Sequence, residues 1–206
     1  KAPTLRATAL SMAGGLGADP QIRAWASEHF AADDVTGDLA GAVLGIMGAQ
    51  GHEADFVTML NRLEATTNPQ IEDRYQLGLT TFASEELSLR AFEVCLSVLR
   101  TQDAPYVVRS LLANRVAGPA VFEALEAVWE DVMARFPENA HSRMLSGISQ
   151  MISSREAADK VASFLRSHPI ETGMRSVEQD LERQATGVAF MERERPRLGI
   201  GLDGLA

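Results

Sequence analysis

The sequence is poor in cysteine, since Cys95 is the only one among its 206 residues. A single cysteine can form neither an intrachain disulfide nor a cysteine-based zinc site, so stability must come from a hydrophobic core. This composition is typical of a reducing compartment, and we expect a cytoplasmic location. No basic segment followed by an apolar stretch is found near residue 1, so no signal peptide is predicted.

Positive charge and long apolar segments are also scarce. The chain has 19 basic and 28 acidic residues, which gives a formal net charge of −9. Nucleic acids and anionic membranes both attract basic surfaces, so neither is expected as a partner. The longest apolar stretch, Leu39–Ala49, is roughly half of the ~20 residues that a membrane-spanning helix requires.

Motifs that carry catalysis are incomplete. Residues 52–56 read His-Glu-Ala-Asp-Phe, so Phe56 stands where a zinc-binding His-Glu-x-x-His helix has its second histidine. The remaining histidines, His29, His141 and His168, lie far apart in the sequence. The glycines of residues 14–17 lack the strand and the spacing of a phosphate-binding loop. The sequence therefore predicts no catalytic residue, metal ligand or cofactor site within these residues.

Helical periodicity, by contrast, extends along nearly the whole chain. An apolar stripe covers residues 121–136, begins after Gly118-Pro119 and ends at Pro137, which predicts one continuous helix. Helix N-termini are predicted where a capping residue precedes a helical pattern, namely at Asp19, Asn68, Ser84 and Ser153. Gly41, Gly45 and Gly48 are spaced along one apolar segment and predict a close approach between helices.

These patterns predict an all-α fold with about ten or eleven helices and an approximate repeat of roughly 30–40 residues. Such a repeat favours an α-solenoid of antiparallel helix pairs, a superhelix of the HEAT or armadillo type. A compact helical bundle would give a similar pattern. We expect one domain over residues 1–206, with a frayed tail at residues 199–206. Because the chain begins with Lys1 and not Met, we also expect it to be a fragment of a longer protein.

Basic side chains in the more apolar middle and C-terminal parts are the remaining candidates for a binding role. A guanidinium group that faces a groove can bind a carboxylate through two parallel hydrogen bonds. Most surface arginines contribute only to the solubility of the protein, so each of these residues is a candidate for binding and not an assigned binding residue. The candidates for contact with a peptide are Arg100, Arg109, Arg115 and Arg143.

Several segments resemble the C-terminal domain of the aminopeptidase N family, zinc peptidases that include the antigen-trimming aminopeptidases. Residues 99–105, Leu-Arg-Thr-Gln-Asp-Ala-Pro, are similar to the Arg-x-Gln-Asp segment of that domain. The order and spacing of the matches extend over nearly all of the chain, although the family's tryptophan near the end is absent. The matching positions are Gln102, Asp103, Asn114, Gly118, Trp129 and Phe136.

The resemblance implies a non-catalytic C-terminal domain of a zinc-dependent aminopeptidase. The zinc ion and the catalytic glutamate would then lie upstream of Lys1, in a catalytic domain that is the natural partner of this one. The resemblance further implies that the helical domain closes the substrate chamber and contacts the distal end of the peptide substrate. The alternative is a stand-alone HEAT-like scaffold for protein interactions. An enzyme complete within this chain has no motif to support it.

Overall fold

The computed structural model describes residues 2–34 and 36–203, and all regular secondary structure in this part is helical. It contains twelve α-helices, a short π-helical turn and a short 3-10 turn, so the all-α prediction is confirmed with slightly more helices than expected. The α-helices are α1 Ala2–Ser11, α2 Pro20–Ala32, α3 Gly37–Gln50, α4 Glu53–Ala65, α5 Pro69–Leu79, α6 Glu85–Ser97, α7 Ala104–Leu112, α8 Gly118–Ala127, α9 Trp129–Arg135, α10 Glu138–Leu145, α11 Arg155–Ser167 and α12 Met174–Asp203. The π-helical turn is Met12–Leu16 and the 3-10 turn is Ser146–Gln150.

The chain separates into two compact units, Lys1–Glu93 and Val94–Ala206, here called the N-terminal and C-terminal units. The expectation of one domain over residues 1–206 stays a prediction. The same holds for the frayed tail, since α12 continues to Asp203 and residues 204–206 lie outside the described part. None of the described helices is both long enough and apolar enough to cross a bilayer.

Three of the four predicted helix caps are confirmed. The Asp19 carboxylate accepts hydrogen bonds from the backbone N–H groups of Gln21 and Ile22 at 2.9 and 3.0 Å. Asn68 caps α5 in the same way, and the Ser84 hydroxyl accepts from the first turn of α6 at 3.3 Å. These bonds satisfy N–H groups that have no partner within the helix, which is why such residues begin helices.

The fourth cap lies one residue later than predicted. Ser154, not Ser153, occupies the N-cap of α11, and its hydroxyl accepts from the backbone N–H of Ala157 at 3.1 Å. The capping-box spacing between Ser153 and Glu156 had indicated the wrong serine of the pair. The Ser153 hydroxyl is buried without a hydrogen-bond partner among the described residues.

The predicted continuous helix over residues 118–136 is interrupted at Val128. Its dihedral angles, φ −124° and ψ 24°, are not helical, so α8 ends at Ala127 and α9 begins at Trp129. The apolar stripe nevertheless continues across the break, because Leu125, Trp129 and Val132 are all buried. Neither glycine nor proline marks the break, so periodicity alone gives no sign of it.

Helix α3 is the centre of the N-terminal unit, where it contacts α1, α2, α4 and α5. A helix with neighbours on several sides must be apolar around most of its circumference. The sequence of α3 meets this requirement. Its buried residues are Ala40, Ala42, Val43, Leu44, Ile46, Met47 and Gly48.

In the C-terminal unit, α7 packs on α8 and α10, while α11 packs on α8 and α12. Within each unit, many side-chain interactions join residues separated by 34 to 37 positions. These pairs are Thr4–Asp38, Glu53–Arg90, Leu99–Arg135, Tyr106–Arg143, Glu123–Lys160, Glu138–Thr172 and Arg155–Glu192. This spacing lies within the range of the expected repeat, although the solenoid arrangement itself stays a prediction.

The three glycines of α3 do not share the role predicted for them. A Cβ atom on Gly48 would lie 2.9 Å from the backbone carbon of Thr81 and would also collide with the Thr81 hydroxyl, so there is a close approach there, although to the turn after α5 and not to a helix. At Gly41 and Gly45 a Cβ atom would meet nothing within 4 Å, so the prediction is wrong at both positions.

Gly48→Ala is therefore expected to destabilise the protein by about 1–3 kcal/mol, because the added methyl group overpacks the contact with Thr81. Gly41→Ala is the matched control in the same helix. It should stabilise the protein by about 0.5–1 kcal/mol, since alanine favours the helix and the space is open. Urea denaturation followed by circular dichroism measures both changes, and equal effects of the two substitutions would contradict the assignment.

Candidate functional site

All of the candidate arginines lie in the C-terminal unit, and all four are exposed. Arg100 precedes α7, Arg109 lies in its last turn, and Arg115 follows it in the turn before α8. Arg143 belongs to α10, which packs on α7. Helix α7 and its two flanking turns therefore carry three of the candidates, and its neighbour carries the fourth.

Arg109 and Arg143 lie beside one exposed aromatic residue, Tyr106. An Arg143 Nη1–H group donates a hydrogen bond to the Tyr106 hydroxyl, and the guanidinium carbon lies 5.3 Å from the centroid of the Tyr106 ring. Arg109 follows Tyr106 by three positions on α7 and so shares its helix face. We call Tyr106, Arg109 and Arg143 the α7–α10 basic cluster.

Tyr106 was not identified from the sequence, although a usable signal was present. Val107, Val108, Leu111 and Leu112 are the buried residues of α7 near this point, so the helical period leaves positions 106 and 109 facing outward. A tyrosine and an arginine three positions apart on the polar face of a helix indicate a surface that presents an aromatic ring and a positive charge together. Its pairing with Arg143, 37 residues later, depends on helix packing that no local pattern specifies.

Arg100 and Arg115 do not belong to this cluster. The Nε atom of Arg100 lies 2.8 Å from Oδ2 of Asp103, so the two side chains form an ion pair. The Arg115 side chain makes no hydrogen bond or ion pair within residues 2–34 and 36–203. The structure thus places two of the four candidates beside one tyrosine and leaves the other two apart, one before and one after α7.

The residues that resemble the family pattern contribute to turns or to the core, with the exception of Gln102, which is exposed. The Asn114 side chain accepts hydrogen bonds from the backbone N–H groups of Val116 and Ala117 at 2.9 and 3.1 Å, which closes the turn between α7 and α8. Gly118 begins α8 at a point where a Cβ atom would lie 2.6 Å from the Leu112 carbonyl oxygen. Both residues therefore fix how α8 follows α7.

Trp129 and Phe136 belong to the core of the C-terminal unit. The Trp129 ring packs edge-on against Phe164, with ring centroids 5.2 Å apart and an interplanar angle of 84°. His141 is buried, and its Nε2 atom lies 3.0 Å from the Phe136 carbonyl oxygen, to which the Nε2–H tautomer donates. Trp129, Phe136 and His141 border a cavity of about 400 Å³ whose acidic residues are Glu130, Glu138 and Glu171.

Metal-ligating side chains are dispersed. Within residues 2–34 and 36–203, no three His, Cys, Asp or Glu side chains are grouped so that they could hold a metal ion. His52 is exposed at the N-terminus of α4, and Glu53 forms an ion pair with Arg90 at 2.8 Å. Residues 52–56 therefore begin a helix, and Phe56 is a fully buried core residue.

Cys95 is fully buried in α6, as its apolar surroundings in the sequence predict. Burial raises the pKa of the thiol to about 12. The reactive thiolate is therefore nearly absent at neutral pH.

We expect no labelling of native Cys95 by iodoacetamide at pH 8 within minutes, and complete labelling once guanidinium chloride unfolds the chain. The raised pKa favours the neutral thiol in the folded state, so this protection should weaken only as the pH approaches about 12. Mass spectrometry counts the modified molecules. Complete labelling of the native protein within minutes would contradict the burial of this side chain.

The fold and the surface together define an all-helical domain whose exposed helix faces carry arginines beside a tyrosine. Residues 2–186 match the family model described as the ERAP1-like C-terminal domain, and the chain belongs to this family. The match confirms the resemblance and identifies the chain as the C-terminal domain of an ERAP1-like aminopeptidase. A comparison with curated proteins found no match.

Proposed function

We propose that this domain closes the substrate chamber of a zinc-dependent aminopeptidase and contacts the distal end of the peptide substrate. The observation that carries the proposal is the family match over residues 2–186. The partners are then the upstream catalytic domain of the same protein and the peptide. A solenoid of helix pairs, supported by the 34–37 residue spacing of the side-chain pairs, would supply the concave wall of such a chamber.

The α7–α10 basic cluster supports the peptide-binding part of this proposal. A peptide ends in a carboxylate, and guanidinium groups bind carboxylates through charge-assisted hydrogen bonds. The stacking of Arg143 on Tyr106 holds one guanidinium group in place at the surface, which lowers the entropy that it loses on binding. Arg100 is a second candidate, although Asp103 partly neutralises it.

Zinc belongs to the proposed catalytic domain and not to the residues described here, whose donor side chains do not fit a zinc site. No step of peptide hydrolysis is therefore assigned to them. The purified 206-residue chain should not release p-nitroaniline from leucine p-nitroanilide, with or without added zinc. Zinc-dependent turnover that copurifies with the chain would contradict the proposal.

The peptide contact is tested in the full-length protein that contains this domain. We expect the parent enzyme to have a higher kcat/KM for a nonapeptide with a free carboxyl terminus than for its C-terminally amidated form. Arg143→Gln should reduce this preference about tenfold, because a charge-assisted hydrogen bond to the carboxylate is lost.

Arg175→Gln is the matched control, since Arg175 is also exposed in the C-terminal unit and should leave the preference intact. If Arg143→Gln kept the full preference for the free carboxylate, the cluster would not be the peptide contact.

The alternative, a stand-alone HEAT-like scaffold, is distinguished by the coding sequence upstream of Lys1. The proposed function requires an in-frame His-Glu-x-x-His motif with a further glutamate downstream of it. A start codon directly before Lys1 would favour the scaffold. A cytoplasmic location is part of the proposal and is supported by the presence of only one cysteine.

A further inference from the structure

The cavity of about 400 Å³ in the C-terminal unit lies between α9, α10 and the loop that joins α11 to α12. This volume is within the range of roughly 300–1,000 Å³ that small-molecule sites occupy. Its apolar lining residues include Trp129, Met133, Phe136 and Ile170. Three of these are buried and Met133 is half-buried. Such a wall binds the apolar part of a ligand by removing both surfaces from water.

Three carboxylates also line this cavity. Glu130 is in the first turn of α9, Glu138 begins α10, and Glu171 lies in the loop before α12. None of them forms an ion pair with a described residue, and the described lining residues include no lysine or arginine. Thr172 donates a hydrogen bond to Oε1 of Glu138, which holds this carboxylate in place without neutralising its charge. The cavity is therefore negatively charged and suited to a cation.

The arrangement of the carboxylates favours a molecular cation over a metal ion. Within residues 2–34 and 36–203, no three acidic, histidine or cysteine side chains converge as metal ligands do. A cation that meets these spread carboxylates must therefore be larger than a single atom. A protonated amine fits this requirement, because its ammonium group carries one positive charge and three N–H donors.

His141 supplies a buried acceptor for such a donor. Its side chain is only 7% exposed and borders the cavity. Because Nε2 donates to the Phe136 carbonyl oxygen at 3.0 Å, Nδ1 carries a lone pair in the neutral imidazole ring. Nδ1 makes no hydrogen bond with any described residue, so it can accept a hydrogen bond from a ligand.

Trp129 supplies a buried donor that also lacks a partner. Its side chain is 7% exposed and borders the cavity, and its indole N–H group makes no hydrogen bond with any described residue. A buried tryptophan N–H group usually has an acceptor, because an unsatisfied donor costs free energy. An oxygen atom of a ligand would satisfy it. A neutral oxygen is favoured, since the carboxylates of the lining would repel a second anion.

We propose that this cavity binds a small protonated amine that carries a neutral oxygen and an apolar side chain. The ammonium group lies among the carboxylates and donates to Nδ1 of His141. The neutral oxygen accepts a hydrogen bond from the Trp129 indole, and the apolar part covers Phe136. The inference depends neither on the family match nor on the α7–α10 basic cluster, so its failure would leave the proposed function intact.

Binding of L-leucinamide to the 206-residue chain at neutral pH, measured by isothermal titration calorimetry, tests the proposal. We expect saturable 1:1 binding that is at least about tenfold tighter than binding of N-acetyl-L-leucinamide, which lacks the positive charge. L-Leucine, in which a carboxylate replaces the amide, should also bind at least about tenfold more weakly than L-leucinamide, because the glutamates repel it. Absence of L-leucinamide binding, or equally tight binding of either analogue, would overturn the proposal.

A double substitution tests whether the ligand lies in this cavity. Glu130→Gln combined with Glu171→Gln should weaken binding about tenfold or more, because it removes two of the three charges and keeps the size of the side chains. Glu156→Gln combined with Glu182→Gln is the matched control. These two exposed glutamates of the same unit do not line the cavity, and their replacement changes the net charge equally but should leave the affinity unchanged. A Glu130→Gln/Glu171→Gln variant with a native circular dichroism spectrum and undiminished affinity would also overturn the proposal.

The same chemical groups occur at the N-terminus of a peptide, where an ammonium group lies next to an amide oxygen. Competition between L-leucinamide and the C-terminal amide of Leu-Ala-Ala distinguishes this source from a small free amine. Displacement of L-leucinamide by the peptide would support the proposal with a peptide N-terminus as the ligand. Retention of L-leucinamide in the presence of the peptide would support it with a small free amine as the ligand.

Discussion

Trp129→Ala is expected to lower the free energy of unfolding by about 3–5 kcal/mol. The tryptophan is 7% exposed and is the first residue of α9, directly after the break at Val128. Its ring contacts Phe164, which also packs edge-on against Phe122 at 5.9 Å. Removal of the ring therefore leaves a cavity where Trp129 of α9 packs against Phe164 of α11, next to Phe122 of α8.

Urea denaturation monitored by circular dichroism measures this effect. Phe190→Ala is the control, because Phe190 is an aromatic residue of the same unit that is 57% exposed. Its replacement should change the stability by no more than about 0.5 kcal/mol. Similar losses for both variants would mean that the Trp129 contacts contribute little beyond ordinary surface packing.

Gly147→Ala is expected to destabilise the protein by about 3 kcal/mol, at the upper end of what overpacking normally costs. Gly147 lies in the 3-10 turn that packs on α7. A Cβ atom there would collide with the Arg109 carbonyl oxygen and would lie 2.9 Å from the Leu112 Cβ atom. Because most of this contact is with backbone, no change of side-chain rotamer can relieve it.

Gly15→Ala is the matched control, since a Cβ atom on Gly15 would meet nothing within 4 Å. Thermal unfolding of both variants should show a clear decrease in Tm only for the substitution at Gly147. An unchanged Tm for Gly147→Ala would show that the 3-10 turn can move away from α7 without cost.

The sequence predicted those features of the fold that depend on a few neighbouring residues. Asp19, Asn68 and Ser84 cap helices because their side chains bond to N–H groups two or three positions later, and that geometry is local. Ser153 and Ser154, by contrast, both have a hydroxyl group that can cap a helix. The local sequence therefore does not distinguish them, and Ser154 is the one that stands at the N-cap of α11.

Features that depend on packing between helices could not be predicted in the same way. Gly41, Gly45 and Gly48 look equivalent in the sequence, yet only Gly48 faces the backbone of another segment. The candidate site shows the same limit. The sequence supplied Arg109 and Arg143 as separate candidates, but the contact between Arg143 and Tyr106 follows from the packing of α7 on α10.

The spacing of 34 to 37 residues between paired side chains constrains how this chain can change in length. Deletion of a single helix would move every later residue by about one third of that spacing and would separate donors from their acceptors. In the solenoid proposed above, deletion or duplication of about 36 residues would instead bring each side chain to the place of its counterpart one repeat away. A solenoid of this kind would therefore gain or lose length most easily in whole repeats.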